Sequence, residues 1–266
     1  MILVVFCILS VLAGLLSSAA GLGPWQSALV FLGAFLGLNL LYVIFWYCVA
    51  GTVDRKKPLE KIRPIYSDGC ISVAGWLCAW AGVRTAVNGA EKLPQEGRFL
   101  LVCNHRSMFD PIVTEYVLRR YRLAFITKPS NLEIPGISKL AVGSGFLAID
   151  RENDREALKT ILKAADFLKK DLCNMAVYPE GTRSKTGELG PFHAGSFKIA
   201  QRGNVPVVIA AIRGTEEVHR HFPFRPTRVA LDILDVIPAE KVKAMSTQEL
   251  SAYSRELIER DLEGAA

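Results

Sequence analysis

Phe99-Leu100-Leu101-Val102-Cys103-Asn104-His105-Arg106-Ser107-Met108-Phe109-Asp110-Pro111 is the stretch on which the reading of this chain turns. Its first five residues make a short, uninterrupted apolar run, the pattern of a strand covered on both faces of a sheet. The residues that follow are polar, and Pro111 predicts the start of a helix, because proline is favoured at the first helical position. A strand running into a turn and then a helix is the building unit of an α/β fold, where ligand sites gather at the carboxyl ends of strands. Histidine is scarce, with four in the chain, so His105 in that position is a candidate general base. In a continuous helix a five-residue step is about 140° of rotation, so His105 and Asp110 would not share a face. They meet only if the segment is a turn that becomes helical at Pro111. Asp110 then holds the imidazole in one tautomer and stabilises the imidazolium formed when His105 takes a proton. An aspartate before proline is also an ordinary helix N-cap, and the spacing alone does not separate the two roles.

The pattern repeats downstream. Arg122–Thr127, Phe146–Ile149, Met175–Tyr178, Val205–Ile212 and Arg228–Ile237 read as further strands from their short apolar, β-branched or aromatic runs. Residues 154–170 carry Leu158, Ile161, Leu162, Ala165 and Leu168 on one helical face, with Asn153 or Asp154 as the cap. Ala194–Arg202 reads as a helix closed by Gly203, and Ser246-x-x-Glu249 as a capping box opening a last helix to about Leu262. Strands separated by helices imply an α/β domain with a mixed, largely parallel sheet flanked by helices.

The other end of the chain is different in kind. No charged side chain occurs from Met1 to Val53, so the net charge of +6 belongs to the remainder. Residues 2–20 and 25–50 are apolar, with the turn signal Gly21-Leu22-Gly23-Pro24 between them, and each is long enough to cross a hydrocarbon core of roughly 30 Å. The pair reads as a transmembrane hairpin. Ser18-Ala19-Ala20 resembles a signal-peptide cleavage site, but no basic residue precedes the apolar run and a second span follows at once. The exit from the second span carries Arg55, Lys56, Lys57, Lys61 and Arg63, which by the positive-inside rule places the rest of the chain in the cytoplasm, at the inner membrane. Residues 70–87 are apolar apart from Arg84, with Trp76 and Trp80 one helical turn apart. They read as an interfacial helix with its tryptophans at headgroup level. The expected divisions are a hairpin over 1–53, a basic linker and interfacial helix over 54–90, and the catalytic domain over 91–266. The basic balance suits anionic headgroups, and no basic stripe interleaved with aromatics points to nucleic acid. The six cysteines show no Cys-x-x-Cys pair and read as buried, reduced thiols rather than a disulfide framework or a zinc site.

The string Asn-His-x-Ser-x-x-Asp-Pro at 104–111 resembles the first signature of the glycerolipid (lysophospholipid) acyltransferase family. Further likenesses follow in the family's order. Val87–Pro94 is similar to the lead-in to its first strand. Lys128 and Ile134-Pro135-Gly136, then Gly145–Arg151, resemble its second motif. Tyr178-Pro179-Glu180-Gly181-Thr182-Arg183-Ser184 resembles the third and Val205-Pro206-Val207-Val208 the fourth. The resemblance covers about residues 87–215, is nearest to bacterial 1-acylglycerol-3-phosphate acyltransferases, and does not account for the uncharged hairpin. It implies acyl transfer to lysophosphatidic acid, with Glu180, Gly181, Thr182 and Arg183 contacting glycerol and phosphate.

The residues carry that reading on their own terms. Pro179 and Gly181 make a tight loop that presents Arg183, whose planar fork matches phosphate oxygens two at a time. Arg151 and Lys128 follow two other strands and converge on the same edge if the sheet is parallel, which makes a phosphate cradle. The expected mechanism is direct: His105 removes the proton from the acceptor hydroxyl, which attacks the carbonyl of a thioester or acyl phosphate. Oxyanion donors are expected from the backbone around Asn104–Ser107 or Gly181–Thr182. Ser107 lacks a Gly-x-Ser-x-Gly setting, so no acyl-enzyme is expected. His193, His219 and His221 have no partner at metal-ligand spacing, and neither metal nor cofactor is expected. The partners expected are a membrane lipid, lysophosphatidic acid, and an acyl donor, either an acyl carrier protein or coenzyme A thioester. Competing readings are a lipid hydrolase using the same pair, a non-catalytic lipid-binding protein, and an acyltransferase for another lysophospholipid or lyso-aminolipid.

Overall fold

A computed structural model describes residues 2–55, 59–184 and 188–264. Lys56 and Lys57 of the basic flank lie outside the described residues. In chain order the elements are α1 (Ile2–Ala19), α2 (Pro24–Gly51), α3 (Pro64–Trp80), β1 (Val83–Asn88), β2 (Leu100–Cys103), α4 (Phe109–Val117), β3 (Leu123–Thr127), α5 (Ile137–Gly143) and β4 (Leu147–Ala148). There follow α6 (Asp154–Lys169), β5 (Asn174–Val177), α7 (Lys198–Gly203), β6 (Val207–Arg213), α8 (Val218–His221), β7 (Thr227–Ile237), α9 (Ala239–Ala244) and α10 (Thr247–Gly264).

The seven strands lie in the order β1-β7-β6-β2-β5-β3-β4. All neighbours are parallel except β6 and β7, which are antiparallel with a register shift at Ile209/Ala210. β2 sits at the centre, and all four of its side chains are buried. Leu100 and Val102 enter one apolar cluster with α6 and α7, while Leu101 and Cys103 enter the other with α3 and α4. A strand sandwiched in this way cannot alternate, which is why the run at 99–103 reads as continuously apolar. β2, β3, β4 and β5 all point the same way, so their carboxyl ends share one edge. That edge carries the site.

The caps behave as their side chains require. Asn153 accepts from the Glu156 N–H at the start of α6 (3.3 Å), and Ser246 and Glu249 form the reciprocal box before α10. The helix expected over 194–202 divides into a 3-10 turn at Ala194–Phe197 and α7, and it closes through Asn204 at positive φ rather than at Gly203. Asparagine tolerates that backbone nearly as glycine does.

α1 and α2 form an antiparallel hairpin, each helix long and apolar enough to cross a membrane and with few side chains buried by the rest of the chain. α3 runs back along the second half of α2. The Thr52 and Tyr66 hydroxyls meet at 3.0 Å, and Tyr42 meets Ser72 at 2.7 Å. The Trp76 and Trp80 indoles donate to the Asn39 carbonyl at 2.9 and 3.2 Å. Asn39 is buried near the middle of α2, and these donors satisfy an amide that would be costly to leave unpaired in apolar surroundings. Both tryptophan nitrogens thus turn toward α2 rather than outward. Gly69 lets the two helices touch, since a Cβ there would stand 2.7 Å from the Trp46 ring.

α3 ends at Trp80, and residues 83–88 of the apolar run are a strand, not a continuation of the helix. Gly82 takes φ +65° and reverses the chain into β1. β1 pairs only with β7, so the sheet takes in residues that the sequence reading assigned to the interfacial segment. As an edge strand with Arg84 and Asn88 exposed, β1 carries no buried-strand pattern to find.

Candidate active site

Asn104 closes β2. Its fully buried side chain donates to the Ile212 carbonyl (3.0 Å) and accepts from the Ile212 N–H (2.8 Å), so an amide replaces the next rung of the ladder to β6. The chain then turns, and His105 faces Asp110 with Nδ1 2.7 Å from Oδ2. The same Oδ2 accepts the N–H groups of Arg106 and Ser107, each at 2.7 Å. Oδ1 accepts the Thr215 hydroxyl. Asp110 is fully buried, and both of its oxygens have hydrogen-bond partners. A carboxylate at Nδ1 directs that proton inward and leaves Nε2 with its lone pair toward the cavity.

The helix begins earlier than Pro111: α4 starts at Phe109, with Met108 as its cap residue. Pro111 still lies in the first turn, where a missing N–H costs no helical bond. Asp110 is therefore a first-turn residue whose side chain reaches back over the turn. It caps the Arg106 and Ser107 amides while holding His105.

Glu180 braces the other side. Its Oε1 accepts the His105 N–H at 2.6 Å and its Oε2 the Gly190 N–H at 3.0 Å. Burial pushes its carboxyl up from the ordinary range, and the two backbone donors oppose this. Both of its oxygens face backbone N–H groups, and it is not among the described residues that line the cavity. The Ser184 N–H also donates to the His105 carbonyl (2.9 Å), so the segments after β2 and β5 hold each other. The Tyr178 ring stacks on the imidazole, with centroids 4.5 Å apart and planes 20° apart.

Lys128 after β3, Arg151 after β4, and Gly181, Thr182 and Arg183 after β5 all line one cavity of about 460 Å³ together with His105. Parallel strands bring these cations together, although 55 residues separate the first from the last. Phe125, Ile126, Ala141 and Phe146 make the apolar part of the wall. Gly181 has φ +76°, and a Cβ there would stand 2.8 Å from Arg151 Nη1. Only glycine allows the guanidinium to lie against this loop. Sequence reasoning missed Thr215 and the stacking role of Tyr178. Thr215 lies 105 residues beyond Asp110 and carries no local signal.

A carboxylate–imidazole pair, an apolar wall and three cations thus share one cavity at the carboxyl edge of a mixed sheet. Residues 84–213, just under half of the chain, match the Acyltransferase family model, so this segment is an acyltransferase-type domain. It is 30% identical over 188 residues to a Caenorhabditis elegans protein provisionally named 1-acyl-sn-glycerol-3-phosphate acyltransferase, covering 68% of this chain and 65% of that one. It is 26% identical over 196 residues to the 1-acyl-sn-glycerol-3-phosphate acyltransferase of Haemophilus influenzae, covering 71% of this chain and 81% of the other. The crystal structure of the 1-acyl-sn-glycerophosphate (LPA) acyltransferase PlsC from Thermotoga maritima shares the fold, with a TM-score of 0.62 at 24% identity, over 85% of this chain and 95% of that one.

Proposed function

We propose that this protein transfers a fatty acyl group from a thioester or acyl-phosphate donor to the sn-2 hydroxyl of lysophosphatidic acid, giving phosphatidic acid. The observation that carries the reading is the convergence of the His105–Asp110 pair with Lys128, Arg151 and Arg183 on one cavity. A phosphomonoester carries up to two negative charges and suits three cations better than a diester does. The apolar wall suits an acyl chain.

In this mechanism Nε2 of His105 takes the hydroxyl proton as the oxygen attacks the acyl carbonyl, and Asp110 stabilises the imidazolium. Collapse of the tetrahedral intermediate breaks the bond to the thiolate or phosphate, and the imidazolium returns its proton to that leaving group. The His105, Arg106 and Ser107 N–H groups are committed to carboxylates, and that of Gly181 to the Tyr178 carbonyl. Among the described residues the Thr182 N–H is left without a protein acceptor, so it is the donor we assign to the oxyanion. The α1–α2 hairpin is the transmembrane anchor of this reading. With Arg55, Lys61 and Arg63 at its exit, it holds the α/β body on the cytoplasmic face of the inner membrane. An acyl carrier protein or coenzyme A delivers the acyl group.

The test is a donor and acceptor panel on purified protein beside His105→Ala. Diacyl product that requires both substrates and disappears in the variant supports the reading. Free fatty acid released without an acceptor would mean hydrolysis instead.

A further inference from the structure

The segment between α8 and β7 reads Phe222-Pro223-Phe224-Arg225-Pro226, and all five residues are exposed. Phe222 is 50% and Phe224 90% accessible. Single exposed apolar residues are ordinary on a protein surface. Two phenylalanines on one five-residue loop, displayed rather than tucked in, are not. The loop is also held in shape: the Phe224 and Arg225 N–H groups both donate to the His221 carbonyl at 2.9 Å, and the His221 ring meets the Thr227 hydroxyl at 3.0 Å. A fixed backbone that aims aromatic rings away from its own core is built to meet something else.

Its position and its charge indicate what. The Thr227 N–H donates to the Gly82 carbonyl (3.1 Å), and Pro226 packs on Gly82, so the loop is anchored where α3 ends. There Trp80, 40% accessible, leans on Phe35 of α2 with ring centroids 5.8 Å apart. Trp80, which touches the hairpin, and this loop, more than 170 residues downstream of α2, thus both adjoin the turn at Gly82. Basic residues frame it. Arg228 stands beside Arg84 in register on β7 and β1, and both are exposed. Among the described residues no carboxylate pairs with Arg84, Arg225 or Arg228. The carboxylates of that sheet face, Asp232 and Asp261, are held by Arg213. Adjacent arginines repel unless an anion lies over them.

We infer that the 222–226 loop and its arginines form a second membrane contact, with Phe222 and Phe224 inserting among acyl chains at the interface while Arg84, Arg225 and Arg228 take anionic headgroups. Aromatic rings favour that interfacial level, and each arginine near such a surface adds about fivefold in partitioning. The inference rests on the membrane reading of α1 and α2. A second contact would fix the tilt of the α/β body, and so the height of the cavity, relative to the bilayer.

The full chain, reconstituted into vesicles with phosphatidylglycerol, tests this through Phe224→Trp. The emission added over the parent should shift to the blue and be quenched by lipids brominated on the acyl chain, but not by aqueous iodide. Added emission that iodide quenches and brominated lipid does not would overturn the inference. The parent's own tryptophans, Trp25 among them, report on the hairpin separately, so failure of the loop is distinguishable from failure of the membrane reading. Shielding of the introduced indole only after an acidic carrier protein is added, or only as protein concentration rises in detergent without lipid, would equally overturn it. As a second readout, Phe222→Ser with Phe224→Ser should raise the KM for vesicle-borne acceptor while leaving kcat on detergent-dispersed acceptor unchanged. Arg225→Gln with Arg228→Gln should flatten the dependence on phosphatidylglycerol content.

Discussion

Asp110→Asn isolates the charge of the buried carboxylate from its geometry. The amide oxygen can keep the three bonds that Oδ2 now accepts, from the His105 ring and from the Arg106 and Ser107 N–H groups. The amide nitrogen then faces Thr215, whose hydroxyl can turn from donor to acceptor. Folding and the histidine tautomer are therefore preserved, and the loss is confined to the step in which the imidazole becomes charged. With Nδ1 and Oδ2 at 2.7 Å, the centres of charge lie about 4 Å apart, worth about 4 kcal/mol at an effective dielectric near 20. At about 1.4 kcal/mol per tenfold in rate, that is roughly a thousandfold fall in kcat. Because the imidazolium exists only along the reaction path, kcat and kcat/KM should fall together with KM little changed. The assay follows phosphatidic acid formed from an acyl thioester and lysophosphatidic acid, with circular dichroism as the folding control. A folded variant retaining kcat within tenfold of the parent would refute the assignment of His105 as a base poised by Asp110.

Three further outcomes follow from the same geometry. Gly181→Ala forces a side chain into positive φ and against Arg151, so the acceptor KM should rise with the donor KM unchanged. In a double-mutant cycle with Arg151→Ala the effects should be markedly less than additive, and simple additivity would count against the contact. Thr215→Val leaves Oδ1 of Asp110 buried without its hydroxyl donor. The expected loss is about 1–3 kcal/mol of stability, seen as a lower denaturant midpoint at unchanged slope. Glu115 on α4 is buried with neither carboxyl oxygen partnered among the described residues, and burial holds its carboxyl well above the ordinary range. The native state then keeps a proton that the unfolded chain loses above pH about 4.3, so stability declines with rising pH by up to about 1.4 kcal/mol per unit until the native carboxyl itself ionises. Glu115→Gln removes that slope, and parallel stability curves for the two proteins across pH 4 to 8 would exclude a buried neutral acid.

The path from residues to site was readable where the information is local. A run such as Leu100–Cys103 needs no partner to identify it as a doubly covered strand, and Pro111 marks the helix onset to within two residues whatever packs on it. The five-residue interval between His105 and Asp110 allowed a contact once the turn was inferred, and the structure closes it at 2.7 Å. The two apolar helices separated by Gly21–Pro24 were likewise written in composition alone, because exclusion of charge over tens of residues has few other meanings.

Other features depend on which strands lie side by side, and nothing within a few residues encodes that. Thr215 reaches Asp110 only because β6 pairs beside β2, which sets the residue after Gly214 above the histidine loop. Glu180 braces the histidine loop because β5 flanks β2 on the other side, bringing its carboxylate to the His105 amide. β1 merges with the apolar run that begins at Cys70, because an edge strand wetted by solvent keeps no alternation to separate it from the helix before it. Lys128, Arg151 and Arg183 line one cavity because parallel pairing points three strands at the same edge. Chain-local patterning specifies which segments are strands and which side chains stand at their ends. Strand pairing, a matter of long-range packing and hydrogen bonding, selects which of those ends meet.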